Sequence, residues 1–98
     1  MKITDPVKIP GATVGNAYSG NAPYIQGTLT TVRCKFTTAS TTFILTINDS
    51  DGMPIYESEK MAGSLVEQVH LAVVGIYTCV ISEASRNEAF TIKLEVEE

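Results

Sequence analysis

The chain has 98 residues, 44% hydrophobic and 18% charged, with a net charge of -4 and only seven Lys and Arg. Such a chain is one globular domain with a core of its own, too short for a separate catalytic domain and too apolar for a disordered tail. Seven cations argue against a groove that neutralises many phosphates, and no apolar run approaches the roughly 18 residues that span a bilayer, so neither nucleic acid nor membrane is an expected partner.

The first 27 residues hold three of the four prolines and four of the seven glycines. No helical or strand period persists there, which predicts an irregular N-terminal arm. From Ile9 to Val32 no residue is charged, yet Ile9, Val14, Tyr18, Tyr24 and Ile25 are spaced along the stretch like small anchors. Solvated tails are usually charged, so the arm over residues 1–27 is expected to lie on something, either its own domain or a neighbouring subunit. Acid and proline stand in "MKITDPVKIPG", where a signal peptide needs an apolar run, so the expectation is export by another route, release by cell lysis or a signal trimmed beforehand.

From Thr28 onward the pattern alternates. "TLTTVRCKF" sets Val32, Cys34 and Phe36 on one face against Arg33 and Lys35, and "TTFILTI" sets Phe43, Leu45 and Ile47 against Ile44 and Thr46. Asp51-Gly52 then signals a hairpin turn, and Pro54 marks the following "MPIYES" as an edge or entry strand. "SLVEQVHL" puts Leu65, Val69 and Leu71 opposite Val66, Gln68 and His70. "GIYTCVIS" follows, then a polar loop, then "AFTIKLEVEE" with Phe90, Ile92, Leu94 and Val96 inward. Six such strands, with turn signals and no helical pattern, predict an all-β sandwich of about six to seven antiparallel strands over residues 28–98, with the arm, of this chain or of a neighbour by strand addition, as the source of a missing strand.

Catalysis would require convergent polar groups of matched pKa, and none are visible. The one histidine, His70, falls on the polar face of a strand, and two cysteines are too few for a structural zinc site. Asp49 and Asp51 precede a glycine in the manner of a calcium loop, but Met53 and Lys60 stand where that loop needs ligands, so a turn is expected. No catalytic, cofactor or metal residue is assigned, and no cofactor is expected.

In "GIYTCVI", Tyr77 lies two residues before Cys79, and Cys34 lies in an upstream strand, which resembles an immunoglobulin domain. The resemblance implies that Tyr77 is a tyrosine corner and that Cys34 and Cys79 are either an inter-sheet disulfide or two buried thiols. There is no Trp, and Val73 replaces the acid that normally precedes the glycine. Residues 43 to 96 more closely resemble small Ig-like domains common in Bacteroidetes proteins and their phages, crAss-like phages included. The matching residues are Asp49, Gly52, Ile55, Tyr56, Leu71, Gly75, Tyr77, Phe90, Thr91 and Ile92.

The resemblance, joined to an uncharged arm, implies a non-enzymatic phage virion protein, a capsid decoration or auxiliary protein or a head-fibre attachment piece. It would be held in a multi-copy assembly by its arm against other capsid proteins. The alternative is an extracellular binding or adhesion module of a bacterial surface protein. On either reading the loops "TTAST" and "EASRNE" are the places where a host glycan or protein would be met.

Overall fold

The computed structural model describes residues 6–98, and these fold into nine β-strands with no helix. They are β1 (Val7–Ala12), β2 (Tyr18–Asn21), β3 (Ile25–Phe36), β4 (Thr42–Asn48), β5 (Pro54–Glu57), β6 (Met61–Ala62), β7 (Ser64–Gly75), β8 (Thr78–Ser82) and β9 (Ala89–Glu97). Two antiparallel sheets result, one in the order β1-β9-β3-β7 and one in the order β2-β8-β4-β5 with β6 also beside β4. The inward positions of both sheets share one core, in which Leu29, Val32, Phe43, Leu45, Ile81, Ile92 and Leu94 are wholly buried. Phe36 on β3 meets Phe43 on β4 with ring centroids 4.7 Å apart, joining the two sheets.

Residues 1–5 of the expected arm lie outside the described residues, and its described part is not irregular but lies on its own domain, one of the two places expected for it. Residues 7–12 pair with β9 and residues 18–21 pair with β8, so the segment supplies an edge strand to each sheet. The reason is the apolar side chains themselves. Ile9 and Ile25 are buried in this chain's core, and Tyr18 packs edge-on against Phe90 at 4.8 Å between centroids. A Cβ on Gly11 would stand 2.9 Å from both of those rings, so the missing side chain lets the two aromatics close over β1. Only Val14 and Tyr24, of the five anchor residues, stay exposed. With β1, β2 and the short β6 added, the described strands number nine rather than six or seven.

Connectivity also departs from the immunoglobulin arrangement, which seats the last strand beside the strand carrying the second cysteine. Here β9 lies between β1 and β3 in the first sheet, and β2 takes the place beside β8.

Strand β3 carries the irregularity that shapes the first sheet. Its register shifts between Leu29 and Thr31 against both β7 and β9. The Thr30 hydroxyl donates to the Glu95 carbonyl at 3.2 Å, which satisfies an acceptor at the break. Beyond the bulge the inward set changes from Ile25 and Leu29 to Val32, Cys34 and Phe36, so one strand serves the core along its whole length despite a change of parity. On the other sheet, Ser58 repairs the gap between β5 and β6. Its hydroxyl accepts from the Leu45 N–H at 2.9 Å and donates to the Glu59 carbonyl at 2.8 Å.

Candidate functional site, a polarised sheet face

Inward positions of β1, β9, β3 and β7 are set by the core, and the alternate positions form an outer face whose register can be read row by row. Lys8 stands opposite Lys93, and Lys93 opposite Arg33, so three cations lie side by side on adjacent strands about 4.8 Å apart. Lys35, one row further along β3, is opposite Thr91. Four of the seven Lys and Arg of an acidic protein therefore share one end of one face. They line a shallow depression of about 770 Å³ that also takes in Thr91, Ser64 and Val66. Like charges directly opposite one another disfavour strand pairing.

Along the same face the charge reverses. Glu95 stands opposite Thr31, which faces Gln68, and in the next row Glu97 is opposite Thr28, which faces Ala72. Arg33 Nε approaches Glu95 Oε1 at 3.7 Å, a contact open to solvent and correspondingly weak. Beyond Glu97, Gln26 pairs with Val74, and Val74, Tyr24 and Ile76 are each more than half exposed at that end. The face thus runs from cationic through anionic to apolar.

The outer face of the other sheet contains Ser19, Val80 and Thr46 in one row and Asn21, Thr78 and Asn48 in the next, with Glu57 at the β5 edge. Tyr56, on the inner side of β5, donates to Glu67 Oε1 of β7 at 2.8 Å and ties the edges of the two sheets together. Burial, with that hydrogen bond and the Glu67 charge after it, raises the Tyr56 phenol well above its ordinary range.

The remaining residues singled out from the sequence are engaged inside the fold. Tyr77 is buried, and its Oη accepts from the Val74 N–H at 3.1 Å and donates to the Val74 carbonyl at 3.4 Å, returning to its own backbone three residues upstream. Cys34 on β3 and Cys79 on β8 are buried free thiols on facing sheets. Burial, and then the neighbouring Cys79, pushes Cys34 up to about 12, while burial alone pushes Cys79 to about 11, which favours the protonated thiol at ordinary pH. Asp49 Oδ1 accepts from the Asp51 and Met53 N–H groups at 3.0 and 2.9 Å, closing the β4–β5 turn. His70 is exposed on the outer side of β7. The described residues hold no group of three or more His, Cys, Asp or Glu that could bind a metal.

The two loops expected to face a host are laced to each other. Glu88 accepts from Thr41 Oγ1 at 2.6 Å, Thr38 Oγ1 at 2.7 Å and the Thr38 N–H at 3.0 Å. Those bonds from Thr41 and Thr38, with Arg86 beside them, hold its carboxyl below the usual range. Ser85 Oγ accepts from the Thr42 N–H, and Asn87 Oδ1 from the Asn16 N–H.

No family model and no curated protein sequence matches this chain. Among solved structures it is similar to FLHE, aligned over 100% of both chains at a TM-score of 0.51 and 14% identity, which speaks to the fold alone. Looser likenesses link it to a structure of the infectious bursal disease virus Gt strain and to the Yersinia pseudotuberculosis-derived mitogen. The first covers 95% of this chain and 30% of that one at a TM-score of 0.44 and 6% identity. The second covers 92% and 89% at 0.42 and 14% identity, and neither supports an argument about function.

Alternation alone placed Arg33, Lys35 and Lys93 outward. Their assembly with Lys8 depends on β1 joining β9, which an irregular proline- and glycine-rich sequence does not advertise.

Proposed function

We propose that this protein is a non-enzymatic structural module that works by protein–protein contact within a larger assembly, and that the assembly is a phage virion which it decorates or reinforces. The observation that carries the contact is the polarised outer face of the β1-β9-β3-β7 sheet, where charge and apolar side chains stand outside the needs of the fold. The virion is what the resemblance of residues 43 to 96 to small Ig-like domains supports. Attachment by a free arm has less support, since Ile9, Tyr18 and Ile25 are engaged in this chain's own packing. Binding of a host glycan through "TTAST" and "EASRNE" likewise has less support, because Thr38, Thr41 and Glu88 are bonded to one another.

Density-gradient centrifugation of a phage lysate containing the tagged chain tests this reading. The wild-type chain should band with particles, and the Arg33→Glu, Lys93→Glu variant should remain at the top. Both chains banding alike, or neither banding, overturns the proposal.

A further inference from the structure

We propose that the basic end of the β1-β9-β3-β7 face is a docking site for a short acidic segment of a partner protein. The inference rests on the contact reading above and names the chemistry of the partner. Lys8, Lys93 and Arg33 span two strand spacings, about 10 Å, and Lys35 lies about 7 Å further along β3. An extended peptide lying over β3 sets alternate side chains at that same ~7 Å, so two of its carboxylates reach Arg33 and Lys35 together while Lys93 and Lys8 act from one flank. Ser64 and Thr91 stand on either side of Lys35 and add hydroxyl donors. In the other direction Glu95 follows Lys93 on the outward side of β9, so the attraction ends within one row and the segment is short.

Charge selects the sign of the occupant, and the surrounding surface selects its class. All four cations are exposed, and among the described residues the depression they line contains no Asp or Glu. The ion pairs among the described residues are Arg33–Glu95 and Lys60–Glu83, which leaves Lys8, Lys35 and Lys93 without a carboxylate partner there. A single-stranded nucleic acid needs aromatic faces on which to stack, and the two rings in the lining, Phe36 and Phe90, are only 3% and 4% exposed. A sulfated glycan would leave uncovered Val66, an apolar side chain 60% exposed beside Arg33. A peptide serves both needs, with carboxylates over the cations and an apolar side chain over Val66.

Fluorescence anisotropy of a labelled peptide of six glutamates around a central valine, titrated with the purified full chain, tests the site with no particle present. Saturable binding is expected at low ionic strength, weakening on the order of tenfold in 0.5 M salt as the exposed charges are screened. Lys93→Glu should weaken it on the order of tenfold, and the milder Lys35→Gln by roughly threefold. Lys60→Glu changes the net charge as much as Lys93→Glu but lies between β5 and β6, on the other sheet, and should leave binding within about twofold. Thermal melts verify that each variant is folded. No binding at low salt, an equal loss in Lys60→Glu and Lys93→Glu, or tighter binding of an oligothymidylate or a sulfated hexasaccharide overturns the acidic-segment inference. The particle experiment stands or falls separately, since banding that depends on Arg33 and Lys93 without peptide binding would keep the contact face and change only what it meets.

Discussion

On the outer face of the β1-β9-β3-β7 sheet the register aligns Lys8, Lys93 and Arg33, whereas on the outer face of the other sheet it aligns Ser19, Val80 and Thr46, with Glu57 at the edge. Both faces arise from the same alternation, and both back onto the same core. The core dictates every second residue and leaves the others free. A strand surface needs only residues that sit well on a pleat, which Thr, Val and Ser do without penalty. Cations on neighbouring strands cost about 0.2–1 kcal/mol per pair, so the basic row is a feature the fold tolerates rather than requires. What the comparison teaches is where to look for function: in the outward residues that oppose stability.

The strongest way to break the comparison is to delete residues 1–27. Had they formed a free arm, the domain would stay folded. Because β1 supplies Lys8 to one face, β2 supplies Ser19 to the other, and Ile9 and Ile25 belong to the core, the deletion should abolish cooperative folding. Circular dichroism melts and dispersion of amide proton shifts would check it. A truncated chain with a sharp melting transition would mean that β1 and β2 are accessories.

Much of this was legible in the sequence for a specific reason. The strands of residues 42–97 show period two, and period two reports burial directly, so Phe43, Leu45, Ile47, Phe90, Ile92, Leu94 and Val96 were all placed inward from sequence and are buried. Strand β3 was read correctly from Val32 to Phe36, but the bulge at Thr30 hid the inward role of Leu29, since a parity change looks like noise in one strand. A strand from residues 1–27 was expected, but the places and partners of β1 and β2 were not read, because Gly11, Gly20 and Pro10 lower local strand propensity, while the ladder to β9 and β8 that stabilises them is a long-range contact. The candidate site was illegible for the same reason. Its rows are made by register between residues as far apart in the chain as Lys8 and Lys93 or Arg33 and Lys93, and outward direction alone does not reveal which cations become neighbours.

A smaller perturbation tests how the two sheets are held at the basic end. Glu88 sits just before β9 and bonds Thr38 and Thr41 in the loop leading from β3 to β4, so it links one sheet to the other. Its carboxyl is held below the usual range in the folded chain by Thr41, Thr38 and Arg86. A depressed folded value means that the ionised form is favoured by folding. The contribution is therefore present above the unfolded carboxylate value of about 4.3 and is lost as pH falls through the lower folded value. Glu88→Gln should melt at a lower temperature than wild type near neutral pH, with the difference closing in acid. A difference that persists unchanged below the carboxylate range would show that shape rather than charge links the loops.

The mildest test acts on the comparison itself. Lys93→Gln shortens the side chain by one atom and removes the central charge of the row, relieving repulsion from both Lys8 and Arg33. In urea titrations it should stabilise the protein by about 0.2–1 kcal/mol at low salt. The gain should vanish in 1 M salt, where screening acts over about 3 Å. The matching change on the other face, Thr46→Lys, introduces a cation beside Val80 and Glu57 and should shift stability by no more than about 0.5 kcal/mol. The two faces then differ in the sign of what one charge does: removing it helps on the first, and adding it is tolerated on the second. If Lys93→Gln instead destabilises the chain at low salt, the row is held together by something that offsets its repulsion, and its claim to be a binding surface loses its physical basis.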